Sequence, residues 1–117
     1  MKNNDNPQNL SWNDFMKVEM RVGTIIKAEM FPEARNPAYK ITIDFGEFGM
    51  RKTSAQITKR YTPDELPGKQ VIAVVNFPPK QIATVMSECL LLGAMGKDKD
   101  VILIQPESKV ANGLRIG

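Results

Sequence analysis

Val71–Gly93 reads VIAVVNFPPKQIATVMSECLLLG, and this stretch decides the fold. An apolar run, Val71 to Val75, ends at Asn76-Phe77 and meets Pro78-Pro79. It resumes through Lys80-Gln81 into a second apolar run, Cys89 to Leu92. Proline fixes φ and donates no backbone N–H, so the pair stops the first strand. Asn76, Lys80, Gln81 and Ser87 are then left near a strand end, where polar side chains can face a ligand. No group with catalytic character stands among them. The segment reads as a binding surface on a small β-barrel.

Outward from this stretch the chain keeps to strands. Met20–Phe31 is expected as a long first strand, with Met20, Val22, Thr24, Ile26, Ala28 and Met30 on one face and Arg21, Lys27 and Glu29 on the other. Gly23 inside it suggests a bulge or bend. A loop between Pro32 and Pro37 follows. Ala38–Phe45 alternates cleanly, with Tyr39, Ile41, Ile43 and Phe45 pointing one way. Gly46-Glu47-Phe48-Gly49 turns the chain into a polar third strand, Met50–Ile57, so one face of this hairpin should be wet. Further strands are expected at Lys69–Phe77, Ser87–Ala94 and Val101–Gln105, the last two joined by the turn Gly96–Asp100.

Helix signals are brief. Ser11 can cap a short helix over Trp12–Lys17, with Asp14 answering the cap. Trp12 and Phe15 share a face, which predicts packing at the end of the barrel. Thr62-Pro63-Asp64-Glu65 is a helix start with a capping box, ended by Leu66-Pro67-Gly68. Residues 1–10 read as a flexible tail and 11–117 as one domain. Short strands with a small helix between the third and fourth predict an all-β, five-stranded oligonucleotide-binding (OB) barrel with short helices and terminal extensions. The fourth and fifth strands are apolar on both faces. One face fills the barrel, and the other needs cover from the termini or a second chain, hence an expected homodimer.

Composition excludes much chemistry. The 117 residues contain no histidine and one cysteine. The commonest general base, the usual zinc ligand and any internal disulfide are therefore absent. We expect no enzyme, no metal and no cofactor. The lone cysteine suggests a reducing, cytoplasmic setting, and no run is long enough to enter a membrane. The net charge is +3, unevenly placed: residues 51–80 hold six Lys/Arg and two Asp/Glu. Such a local excess is a candidate footprint for a polyanion.

Asp14-Phe15, Arg21-Val22-Gly23, Pro32-Glu33-Ala34-Arg35, Asp44-Phe45-Gly46, Ser54-Ala55-Gln56-Ile57, Gly68-Lys69, Asn76 to Ile82 and Ser87-Glu88 follow the order and spacing of the tRNA-binding domain family. The chain resembles that family from about Asp14 to Gly113. The wording Asn-Phe-Pro-Pro-Lys-Gln-Ile-Ala is similar to its export-related chaperone branch. The resemblance implies an OB barrel, a homodimer and binding without catalysis. It departs at Ser87-Glu88-Cys89-Leu90, where many members carry Ser-x-Gly-Met; the exchange should enlarge an apolar surface suited to unfolded polypeptide.

Two ligands are thus expected. For unfolded preproteins, with the export machinery as a further partner, the candidate groove residues are Phe77, Pro78, Ile82, Val85 and Met86, methionine being able to repack around different partners. For tRNA, the candidates are Arg35, Lys40, Arg51, Lys52, Asn76, Lys80, Gln81 and Ser87. Arg51 and Lys52 are adjacent on a strand, so only one can face a given groove. Asn76 can serve equally as the cap of its turn.

Overall fold

The structure, a computed structural model, describes residues 8–117. Most of the expected tail, residues 1–7, lies outside that range. The described chain runs α1 (Trp12–Lys17), β1 (Met20–Met30), β2 (Tyr39–Asp44), β3 (Met50–Ala55), β4 (Gln70–Val74), β5 (Lys80–Ile82), β6 (Val85–Ser87), β7 (Leu90–Leu91), β8 (Gly93–Met95), β9 (Val101–Leu103) and β10 (Arg115–Ile116), with short 3-10 turns at 46–48, 63–65 and 97–99. One antiparallel sheet has the order β3-β2-β1-β4-β7, and β10 also pairs with β1. It curls into a nearly closed, OB-like barrel. Two hairpins, β5–β6 and β8–β9, complete the molecule.

The alternation of β2 holds. Tyr39, Ile41, Ile43 and Phe45 are buried and join Ile25, Ile57, Leu66, Val71, Ala73 and Val75 in the core. Burying a side chain of this size stabilises the fold by roughly 1.5–3 kcal/mol. β1 departs from its expected pattern. A Cβ on Gly23 would lie 2.5 Å from Ile43 Cγ2 and 2.8 Å from Phe45, so Gly23 itself faces the core. Val22 and Thr24 lie on the other face, under the C-terminal segment: Val22 N donates to Leu114 O, and Thr24 Oγ1 donates to Asn112 Oδ1. The bulge falls at Ile26, where the register to β2 shifts between Ile25 and Lys27. The extra residue turns Ile26 outward to 45% exposure and brings Ala28 back to the core.

Other expectations are refined. The turn at 46–49 forms with both glycines at positive φ. The turn at 63–65 has Pro63 in its first turn but no side-chain cap bond to the backbone; the Thr62 hydroxyl meets the Glu65 carboxylate at 3.4 Å. The fifth strand is broken into β6, β7 and β8, and β5 is an unexpected strand paired with β6. β4 is buried on both faces within a single chain, so its outer face needs no second copy. Helix α1 is capped as expected, Asp14 N donating to Ser11 Oγ. It buries no residue, and Trp12 is 58% exposed, against the expected core packing. The helix is held by its ends instead. Arg115 Nη2 donates to Met16 O, and Asn76 Nδ2 donates to Lys17 O.

Candidate functional site

Three adjacent strands build a cationic cleft. Lys27 pairs with Thr42, and Thr42 with Lys52; one step along, Glu29 pairs with Lys40, and Lys40 with Ser54. Directly paired residues share a face. Lys27, Thr42 and Lys52 thus form one row, and Glu29 and Lys40 begin the next. Thr84 and Val85, from the hairpin β5–β6, wall the other side of a cleft of about 260 Å³. Lys27 Nζ stands 3.6 Å from Glu29 Oε1, and Lys40 Nζ lies 5.7 Å from the centre of the Phe31 ring. Three ammonium groups against one carboxylate leave this cleft positive.

Lys40 and Lys52 are therefore brought together, while Lys27, Thr42 and Thr84 escaped the sequence reading. Lys27 is expected on the polar face of the first strand, and the polar face of the second lies opposite. Pairing those two faces is the signal that finds it.

The remaining polar candidates have structural partners, apart from two that are exposed. Arg51 Nη1 donates to Val75 O at 2.6 Å and to Glu88 O at 3.4 Å. The Ser87 hydroxyl lies 3.0 Å from Thr53 Oγ1. Asn76 accepts from Glu19 N and donates to Lys17 O, so its amide ties the end of β4 to the chain after α1 rather than capping its own turn. Gln81 Nε2 donates to Ala83 O in the hairpin turn, where Ala83 sits at φ 48°. Lys80 is exposed on β5, and Arg35 in its loop. The basic excess of residues 51–80 does not form one patch. Lys52 reaches the cleft and Arg51 turns inward. Lys59 Nζ donates to Lys97 O and Asp98 O, and Arg60 binds Asp100 with two bonds of 2.8 and 2.7 Å.

The apolar candidates do not share one groove. Val85 lines the cationic cleft, and Met86, its neighbour in β6, must face the opposite side of that strand. Ile82 pairs with Val85. Phe77, 55% exposed, follows Asn76 at the end of α1, and Pro78 is exposed beside it. A second groove, of about 330 Å³, lies between the end of β3 and β7–β8. Its lining is mostly apolar and includes Ala55, Ile57, Leu90, Leu91 and Met95. Leu90 is 48% and Met95 79% exposed. Sequence reasoning missed this groove because it depends on how far two strands diverge. Of the Cys89-Leu90 pair, only Leu90 adds apolar surface. Cys89 is buried, and desolvation pushes its thiol pKa up to about 12, which leaves it protonated and unreactive at neutral pH.

Among the described residues no group of three or more His, Cys, Asp or Glu side chains is placed to hold a metal, and no helix is long and apolar enough to cross a membrane.

Comparison with known proteins bears on this geometry. Residues 20–115 match the model of the tRNA binding domain. A methionine--tRNA ligase of Porphyromonas gingivalis is 35% identical over 109 residues, which is 93% of this chain and 16% of the ligase. That of Chlorobium chlorochromatii is 34% identical over 104 residues, 89% of this chain and 14% of the ligase. The chain thus spans about a sixth of these curated relatives. Among solved structures, the chaperone CsaA of Bacillus anthracis str. Ames superposes with a TM-score of 0.89 at 50% identity, covering 93% of this chain and 99% of that one. The CsaA chaperone protein of Picrophilus torridus gives 0.86 at 48% identity, covering 93% and 100%. With its OB-like barrel, its cationic cleft on β1–β3 and a family match across most of its length, the chain belongs to the tRNA-binding domain family.

Proposed function

We propose that this protein holds unfolded polypeptides as a chaperone of the CsaA type, without catalysis, keeping preproteins competent for secretion. The observation that carries the reading is a set of large apolar side chains left in water. Away from α1, Phe77, Leu90 and Ile104 are exposed, together with Met30, Met50, Met86 and Met95. Flexible thioethers suit a surface that must fit many sequences. The likeness to two chaperones at about half identity supports it.

A second reading has its own observation. The lysine cleft suits phosphate, and tRNA is the polyanion that the family suggests. Both ligands can use one protein at different surfaces.

A two-fold homodimer fits the exposed face of α1, where Leu10, Trp12, Met16 and Val18 lack cover within the chain. Light scattering should then give twice the chain mass; a single-chain mass at every concentration removes this part of the proposal. The buried, protonated thiol is compatible with the cytoplasm, which is the compartment we assign.

The central test pairs two assays. The protein should suppress aggregation of a chemically unfolded protein, with little loss in high salt, because apolar contact does not weaken there. tRNA binding should fall with salt at a log–log slope near −0.7 to −0.9 per phosphate contact. Failure to suppress aggregation overturns the first reading. Failure to bind tRNA at low salt overturns the second.

A further inference from the structure

The barrel closes along only part of β3. At its first half the chain is stitched to the segment after β6. Glu88 N donates to Lys52 O at 2.8 Å, Lys52 N donates to Glu88 Oε1 at 3.0 Å, and Thr53 Oγ1 donates to Cys89 O at 2.8 Å. Beyond Thr53 the strands part, and the apolar groove opens between Ser54–Ile57 and Leu90–Gly93.

Strand geometry says what faces that groove. Main-chain N–H and C=O groups of successive residues point to opposite edges of a strand, so those of every second residue share an edge. The Lys52 groups point toward Glu88, so those of Ser54 point into the seam; Gln56, just past the end of β3 at Ala55, lines the same groove. Across it, Leu92 N donates to Ile72 O in β4. The main chain of Leu91 therefore points away from β4, back toward β3. Among the described residues, no backbone hydrogen bond joins Ser54 or Gln56 to Leu91 across the seam. Unpaired strand edges are templates for another strand. Here two of them face each other across a groove lined by Ala55, Ile57, Leu90 and Leu91, with Met95 beside it and Lys99 as the one charged lining residue.

We propose that this seam receives a short extended polypeptide as an added strand, which completes the barrel by main-chain hydrogen bonding to Ser54, Gln56 and Leu91. Main-chain pairing is independent of sequence. Alternate apolar side chains of the guest would meet the groove lining, and an acidic residue would meet Lys99. The mode suits a protein that accepts many clients. The site is distinct from the lysine cleft and contains none of Phe77, Pro78, Ile82, Val85 or Met86. The inference rests on the polypeptide-holding reading.

The test uses two blocked heptapeptides of sequence Glu-Val-Leu-Val-Leu-Val-Glu, one plain and one N-methylated at both leucines. Methylation keeps the side chains and removes two donors from one edge. The plain peptide should bind, shift the amide resonances of Ser54, Gln56 and Leu91, and slow their hydrogen exchange. The methylated peptide should bind about tenfold more weakly or worse. Equal affinity of the two peptides, or shifts confined to other residues, overturns strand addition and leaves the holding reading standing. Shifts at Ser54, Gln56 and Leu91 on raising protein concentration alone identify a second copy of this chain as the occupant and overturn the proposal. Failure of both peptides, while aggregation of an unfolded protein is still suppressed, overturns the seam as the site. Failure of both assays brings down the holding reading itself.

Discussion

Along β3, the stretch Arg51 to Thr53 is tied to Glu88 and Cys89, whereas Ser54 to Ile57 borders an open groove. Both stretches are polar for a strand, and a residue-by-residue reading treats them alike. Their difference arises from the opposite strand, which is bound to β3 at Glu88 and diverges after Cys89. The closed half also separates charges by face. Arg51 turns inward to carbonyl groups, and Lys52 looks out over the cleft. Two adjacent cations thus have different tasks, one in holding the barrel and one in meeting a ligand.

The largest expected effect breaks the cleft side of this contrast. Replacing Lys27, Lys40 and Lys52 together by alanine should flatten the salt dependence of tRNA binding by about 2–3 log–log units, at roughly 0.7–0.9 per lost phosphate contact. Filter binding at several salt concentrations checks this, and an unchanged slope would move the RNA surface elsewhere. Next, Thr53→Val should lower unfolding stability by about 1–3 kcal/mol, because Cys89 O loses its nearer donor in a buried site and keeps only the Ser87 hydroxyl at 3.4 Å. Ser54→Ala, one residue further into the open half, should change it by less than about 0.5 kcal/mol. Equal losses in urea unfolding would erase the distinction between the halves.

Arg51→Ala should cost about 1–2 kcal/mol of stability, since a charged donor leaves Val75 O. Lys52→Ala should leave the unfolding midpoint nearly unmoved and weaken tRNA binding. The reverse pattern would exchange their roles. The smallest effect concerns Arg60 and Asp100. The hydrogen-bonded guanidinium holds the Asp100 carboxyl below its usual range. A depressed folded value contributes stability that is complete above the ordinary aspartate pKa of about 3.9 and is lost as pH falls through the lower folded value. The melting difference between the parent and Asp100→Asn should therefore be small at pH 7 and vanish in strong acid.

The sequence made the barrel legible through β2, where Tyr39, Ile41, Ile43 and Phe45 alternate without interruption, and through the stop at Pro78-Pro79. It misled at β1, because Gly23 faces the core without an apolar side chain to announce it and Ile26 is an inserted residue that reverses the pattern. At the site, Lys40 and Lys52 could be named from their strands. Lys27 emerges only when the polar faces of the first two strands are paired, because its neighbours depend on register. Asn76, Ser87 and Arg51 read as ligand contacts because polar side chains near a strand end look the same whether they meet a guest or a distant carbonyl. The partners that decide the matter, Lys17 O, Thr53 and Val75 O, lie 24 to 59 residues away in sequence. Only the closed barrel brings those pairs together.

The C-terminal segment lies along β1 and β4. The Gln70 amide imitates a strand, donating to Val110 O and accepting from Val110 N. Arg21 donates to Gly113 O across 92 residues, and Arg115 to Met16 O across 99. Contacts this distant reward the chain only after large loops have closed. Maturation of the barrel should therefore be slow, on the order of milliseconds to seconds, with docking of this segment as a late event. Until that event the upper edge of β1 stays bare, and the newborn molecule is itself, for a moment, the kind of sticky chain that it is proposed to shelter.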